Sequence, residues 1–317
     1  MAFRPFLLAV AALVPMSLAA CGGDDGGQPT PEGMHYHYVA NKVFVPTTSN
    51  ESRDYGLDLN GDGTVDNQLG ATLAALKSQG GFDVQATIDT SVNEGSIILL
   101  ADFQTKDFTS SSAAGIQVFL GKNPTPAPCN GSGDTTCGHH LDGTGSFDVD
   151  TTTTNAALGG KIVGGQFTGG PGDLSLQLAI GGTQPINLNL IGARAKATGI
   201  SETGITSVIF AGAVTKMDID TKIIPAIQPQ LETTIARDCT ALDTPPDCGC
   251  TDGSTGMTIL GFFDADKDCH VSLMELQTNS LVMSLLQPDV TIDGEMALSI
   301  GIKATAVKAT YTVAGEM

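Results

Sequence analysis

Apolar side chains alternate with polar or small ones along much of this 317-residue chain. The clearest runs are the segment 174–180, LSLQLAI, and the segment 186–190, INLNL. Because successive strand residues face opposite sides of a sheet, a period of two predicts strands with one buried face. The apolar parity reverses after Gly192, which predicts a β-bulge at that glycine.

The same reasoning predicts most of the remaining chain as strands and turns. Further strands are expected at 96–103, 116–120, 160–167, 205–211 and 298–302, separated by Thr- and Gly-rich turns such as 150–155 and 169–173. Three helices are expected near 69–76, 219–235 and 273–286, with apolar stripes that we interpret as core. The expected fold class is α+β and β-rich, a mostly antiparallel sheet or sandwich with a few helices.

The first residues of the chain have the pattern of a secretory signal. In 1–20, Arg4 precedes an apolar run that is too short to span a bilayer and that ends in mostly small residues. The motif Leu18-Ala19-Ala20-Cys21 resembles the lipobox of bacterial lipoproteins. That resemblance implies a lipid on Cys21 and attachment to the bacterial outer membrane or cell surface, the periplasmic face being an alternative. A plain secreted protein with a chance cysteine is the other interpretation.

Composition and charge predict the domain organisation of the rest of the chain and exclude one class of partner. Residues 21–34 are rich in Gly, Pro and acidic residues and predict a flexible tether. Residues 35–317 are then expected to form a single β-rich domain. The formal net charge of −19 argues against nucleic acid as a partner.

Six cysteines remain when Cys21 is set aside, an even number for an oxidising compartment. Cys129 and Cys137 flank a Gly-rich loop and are expected to pair with each other. Cys269 is expected to pair with either Cys248 or Cys250, since a bridge between those two would be strained. Cys239 takes whichever of the two is left.

The segment 264–275, DADKDCHVSLME, spaces its oxygen donors as a calcium loop does. EF-hand ligands come from positions 1, 3, 5, 7, 9 and 12 of a twelve-residue loop, with a backbone carbonyl at position 7. Counted from Asp264, these positions hold Asp264, Asp266, Asp268, His270, Ser272 and Glu275. The loop resembles an EF-hand, with Cys269 at the position where the family has glycine. A disulfide at Cys269 is expected to offset the strain of a left-handed residue there.

A second segment, 58–69, DLNGDGTVDNQL, has a similar spacing. Its candidate ligands are Asp58, Asn60, Asp62, Thr64 through its carbonyl, and Asp66. Leu69 stands at position 12, so the bidentate acid is missing. The stretch also resembles the loops of dockerins and thrombospondin-type repeats. Val65 and Val271 both occupy position 8, which predicts that the two loops meet there. An acidic turn without metal is the alternative for either loop.

Catalytic signatures are absent from the sequence. It has no HExxH, GxSxG, Walker or dinucleotide motif. We interpret the pairs His35/His37 and His139/His140 as ordinary polar residues rather than zinc ligands.

The whole pattern resembles predicted lipoproteins of myxobacterial type, a resemblance that assigns no activity. The leading hypothesis is a calcium-binding, lipid-anchored cell-envelope protein with a non-catalytic binding or structural role toward a protein or glycan partner. The alternative is a secreted-type polysaccharide hydrolase with structural calcium. A cleft with two close carboxylates would favour the hydrolase.

Overall fold

Strands dominate the structure. The computed structural model describes residues 28–78, 84–131, 133–151, 156–178 and 186–313. Its strands are β1 (Met34–Phe44), β2 (Leu99–Thr105), β3 (Ser111–Thr125), β4 (Ser146–Asp150), β5 (Leu158–Val163), β6 (Gln166–Leu178), β7 (Ile186–Ser201), β8 (Gly204–Thr215), β9 (Val290–Ile292) and β10 (Glu295–Lys308). With 40% strand and 27% helix, the β-rich α+β prediction is confirmed.

Eight of the strands close into a ring. Their order is β1-β2-β3-β5-β6-β7-β8-β10, and β10 pairs back with β1. All of these pairings are antiparallel. β4 pairs with the second half of β3, and β9 pairs with the start of β10. The sequence left open a sheet or a sandwich, and the strands form one closed antiparallel sheet.

The interior of the closed sheet is filled by the apolar face of the alternating strands. Leu174 and Leu176 of β6 and Leu188 and Leu190 of β7 are all buried there. An interior of eight strands is just wide enough for side chains to fill it. The alternation predicted in 174–180 and 186–190 therefore corresponds to the barrel core, although residues 179 and 180 lie outside the described ranges.

Glycines account for one confirmed and two wrong predictions about the strands. The register of β7 against β8 shifts between Ile191 and Arg194, and Gly192 has a φ of 59°, which confirms the bulge. The segment 160–167 is a hairpin rather than one strand, because Gly164 and Gly165 form the turn between β5 and β6. The segment 169–173 is not a turn but part of β6, where its extra residues are absorbed as register shifts.

The helices are α1 (Ser49–Asp54), α2 (Gln68–Ser78), α3 (Val84–Asn93), α4 (Lys216–Asp218), α5 (Ile224–Asp238), α6 (Thr255–Phe263), α7 (Leu273–Thr278) and α8 (Ser280–Leu285). A π-helical turn, Ile219–Ile223, joins α4 to α5, and Pro225 lies in the first turn of α5. The expected helix at 273–286 is divided at Asn279, whose side chain caps α8. No helix in the described ranges is long and apolar enough to cross a lipid bilayer.

The helices pack where β1 and β8 end and β10 begins. α3 contacts β1, α2 contacts β10, and α5 packs against α6. This arrangement places the loop 264–275, which joins α6 to α7, on the helical end of the molecule.

Candidate functional site

The loop 264–275 begins and ends on helix caps. Asp264 is the C-cap of α6, and its N–H donates to the Leu260 carbonyl. Ser272 is the N-cap of α7 and forms a capping box with Glu275. Helix ends of this kind leave backbone groups that need partners, so the twelve residues are held at both ends by the helices that flank them.

Three carboxylates converge in this loop. Ligand oxygens of Asp264, Asp266 and Asp268 all lie within 4.8 Å of one another. The pKa of Asp266 is raised, first by desolvation and then by the negative charges of Asp268, Glu275 and Asp264. A divalent cation among these oxygens would relieve that repulsion, and hard oxygen donors are the ligands that calcium prefers.

Hydrogen bonds fold the backbone around the three carboxylates. The Asp268 and Cys269 N–H groups donate to Asp264 Oδ1 and Oδ2 at 3.1 and 3.0 Å. The His270 N–H donates to Asp268 Oδ1 at 2.9 Å. The acidic side chains therefore hold the loop in its turn as well as pointing oxygens toward one another.

Glu275 does not join the three aspartates. Its Oε1 accepts the Ala265 and Asp266 N–H groups at 2.7 and 3.3 Å, across the loop from its own position. Its Oε2 accepts the Ser272 N–H and hydroxyl. Burial opposes ionisation of Glu275, but these hydrogen bonds outweigh it and lower the pKa. Glu275 and Ser272 thus brace the loop in the structure.

Helix α5 supports the middle of the loop. Glu232 Oε2 lies 2.8 Å from His270 Nδ1, and Glu232 Oε1 accepts the Val271 N–H. Gln228 Nε2 donates to the Val271 carbonyl at 2.9 Å. The hydrogen bond to Glu232 raises the pKa of His270.

This support contradicts the predicted contact between the two loops. Both backbone groups of Val271 are engaged by α5, and the Val271 side chain is fully buried in the core. Val65 instead remains 45% exposed. The physical reason is that α5, which contributes a carboxylate and an amide, occupies the place where a partner loop would pair.

The first loop, 58–69, shares two hydrogen bonds with the loop 264–275 at equivalent positions. The Gly63 N–H donates to Asp58 Oδ2 at 2.9 Å, as Cys269 does to Asp264 five residues earlier. The Thr64 N–H donates to Asp62 Oδ1 at 2.7 Å, as His270 does to Asp268. The two loops therefore share a conformation as well as a spacing.

The donors of the first loop are less available. The Asp66 carboxyl is buried and accepts the Leu59 N–H at 2.8 Å; burial raises its pKa. The Thr64 N–H lowers the pKa of Asp62. The Asn60 side-chain oxygen Oδ1 accepts the Asp62 N–H, and Leu69 is buried in the core. The carboxylates of this loop do not converge as the three aspartates of 264–275 do.

One of the three disulfides involves the loop 264–275, which is the second of the two loops in chain order. The described residues contain Cys129–Cys137, Cys239–Cys250 and Cys248–Cys269, as predicted, and the alternative left open for Cys269 is resolved in favour of Cys248. Cys269 has a φ of 71° and is fully buried. Its bridge ties position 6 of the loop to Cys248 in the segment 239–250, which follows α5 and is closed by the Cys239–Cys250 disulfide.

His35, His37 and His139 have structural partners. His35 Nδ1 lies 2.7 Å from Asp102 Oδ2, and His37 stacks on Tyr311. His139 pairs with Asp134, and His140 is buried. Across the described part of the chain, the aspartates of 264–275 are the one group of acidic, His or Cys donors close enough together to hold a metal.

A groove beside β4 is the candidate catalytic cleft for the hydrolase alternative. It has a volume of about 790 Å³, and Asp148 and Asp150 are among its lining residues. Asp148 accepts a hydrogen bond from the Asn123 amide. The two carboxylates are alternate residues of one strand, so they project from one face. Two carboxylates beside one groove are what the hydrolase alternative requires, so that alternative stays a prediction.

The chain matches no protein-family model, no curated protein and no solved structure. Residues 1–27, which include the predicted signal and Cys21, lie outside the described ranges.

Proposed function

We propose that the protein binds calcium in the loop 264–275 and serves in the cell envelope as a non-catalytic binding or structural protein. The observation that carries the proposal is the convergence of Asp264, Asp266 and Asp268 within 4.8 Å. The His270 carbonyl is the backbone ligand expected at position 7. Glu275 would contribute by exchanging part of its bracing bonds for the ion, so the loop would work as an EF-hand-like module.

Titration of the soluble domain with calcium tests the proposal. Extracellular calcium modules have Kd values of about 10⁻⁴–10⁻³ M. A tenfold excess of calcium over Kd stabilises a one-site protein by about 1.4 kcal/mol, so millimolar calcium should raise Tm and a chelator should lower it. Asp266→Asn should remove most of the response, because it deletes one of the three converging charges. Asp252→Asn is the matched control, since Asp252 is an exposed acid outside both loops.

One result would contradict calcium binding by this loop. If calcium raises the Tm of wild type no more than it raises the Tm of Asp266→Asn, the loop is an acidic turn. Asp62→Ala should reduce the response less than Asp266→Asn, since the first loop lacks its position-12 acid and Asp66 is engaged with Leu59.

We also propose that the domain is attached to the bacterial outer membrane or cell surface through a lipid on Cys21. The support is the lipobox-like motif 18–21 and the tether that follows it. Two or more acyl chains on one residue hold a protein at a membrane stably. Cys21→Ser should move the protein from the membrane fraction to the soluble fraction or leave it unprocessed. Unchanged membrane partitioning of the variant would disprove the anchor.

A further inference from the structure

A cavity of about 190 Å³ lies among the helices, separate from the loop 264–275 and from the groove beside β4. Its walls come from α2, α3, the helical segment 219–238, α7 and α8, with Phe263 at the end of α6. Ile300 of β10 lines it on the side of the sheet and also faces the barrel core. We refer to it as the apolar cavity.

The lining of the apolar cavity offers too few polar partners to bind a water molecule. Apart from Thr72, every residue that lines it is aliphatic or aromatic. The Thr72 hydroxyl donates to the Leu285 carbonyl at 2.9 Å and is therefore engaged with the protein. A buried water needs two to four polar partners, so the occupant that this cavity can stabilise is apolar.

The volume sets the size of that occupant. A protein cavity of roughly 150 Å³ lined by Leu, Ile and Phe stays dry and binds benzene. Scaled from six carbons at that volume, the apolar cavity holds on the order of six to eight carbon atoms. An entire lipid does not fit in this space, but the end of one alkyl chain does.

The outer surfaces of the same helices are also apolar. Eleven large hydrophobic side chains are exposed in the described residues, and six of them lie on α6, α7 and α8. They are Met257, Phe262, Leu273, Met274, Leu281 and Met283. Methionine side chains adapt to irregular apolar partners. The helical end of the molecule therefore exposes an apolar surface on α6, α7 and α8 as well as containing the apolar cavity.

We propose that the apolar cavity binds the terminal six to eight carbons of a single alkyl chain. The polar end of the ligand stays outside, because the cavity offers it no free partner. Chain length then determines affinity until the cavity is full. The proposal stands on the cavity and its lining, and it does not depend on calcium.

Neutral n-alkanols from butanol to decanol are suitable probes, added to the soluble domain and followed by titration calorimetry. Each buried methylene should strengthen binding about fourfold. The gain should stop near eight carbons, where the apolar cavity is filled. Each titration is run in calcium and in chelator, so a failure of calcium binding is read separately from a failure of alcohol binding.

Two filling variants and one control locate the bound chain. Ile227→Phe and Leu73→Phe add an aromatic ring at partly buried lining positions, and each should weaken octanol binding at least tenfold. Val163→Phe makes a comparable addition on an exposed strand end and should leave binding unchanged. Circular dichroism melts establish that each variant is folded. Octanol binding that is absent, independent of chain length, or equal in both folded filling variants and wild type would overturn the proposal.

The source of the chain is distinguished by displacement and by sedimentation. Octanoate represents a free fatty acid, and phosphatidylcholine vesicles represent a membrane lipid. Displacement of bound octanol by octanoate assigns the free acid, and sedimentation of the wild-type domain with the vesicles, lost in both filling variants, assigns the lipid. If neither result is obtained, the assignment to alkyl chains fails.

Discussion

At the scale of single residues, the two loops differ most at their left-handed positions. In the first loop these are Gly61 and Gly63, with φ of 81° and 86°. The equivalent residues of the second loop are Lys267 and Cys269, with φ of 60° and 71°. The spacing of the acidic residues predicted the special position of Cys269, because EF-hand loops have glycine there. Lys267 was missed, since that rule says nothing about position 4.

Lys267→Gly should stabilise the domain by about 1 kcal/mol. A side chain in the left-handed region costs on the order of 1–2 kcal/mol, and glycine removes most of that cost while adding some freedom to the unfolded chain. Urea denaturation in chelator measures the change without a contribution from metal. Lys267→Ala is the matched control, because it removes the same charge and keeps the strain. Equal stabilities of the Gly and Ala variants would show that Lys267 is not strained.

At the scale of secondary-structure elements, the role of α5 could be predicted only in part. Its apolar stripe indicated a buried helix, and Ile235 is indeed buried. Ile227 and Leu231 line the apolar cavity and are only partly buried, although the pattern does not set them apart. The contact of Glu232 with the loop joins residues 38 and 39 positions apart. Periodicity carries no information on such a contact.

Glu232→Ala should weaken calcium binding about tenfold. Groups that orient the ligand-bearing backbone typically contribute 10–100-fold to metal affinity, and Glu232 holds both His270 and the Val271 N–H. Calorimetric titration with calcium gives the affinity directly. Glu232→Gln is the informative comparison, because its amide oxygen can still accept the Val271 N–H and should preserve more of the affinity. If both variants bind as wild type does, Glu232 does not position the loop.

The strands show where alternation is informative and where glycine overrides it. The segment 186–190 was predicted correctly because its apolar face is filled by the core. The hairpin at Gly164 and Gly165 was missed because apolar residues continue on both sides of the turn. The Gly164-Gly165 dipeptide was the available signal in the sequence, because paired glycines mark turns. Both residues have positive φ in the structure.

At the scale of the whole molecule, closure of the sheet depends on contacts far apart in sequence. β1 pairs with β10, so the two ends of the described domain lie side by side. Asn67, just before α2, receives the Gly301 N–H and donates to its carbonyl across 234 positions. Neither contact follows from local pattern, which is why the sequence predicted strands and left the architecture open.

At the same scale, burial of His140 should make the domain less stable as the pH drops below about 6.5. His140 is fully buried, and neither ring nitrogen has a hydrogen-bond partner within the described ranges. Burial lowers the pKa of His140 in the folded state, while in the unfolded chain it is about 6.5.

Below that pH the unfolded state therefore takes up the proton first, and the free energy of unfolding decreases. Well above pH 6.5 the imidazole is neutral in both states and this contribution is fully present. His140→Leu keeps a side chain of similar size without a titrating group, so its stability should decline less steeply between pH 7 and pH 5. Urea denaturation at several pH values in this range measures both slopes. Parallel slopes for the variant and wild type would mean that the His140 ring finds a proton acceptor in the folded protein.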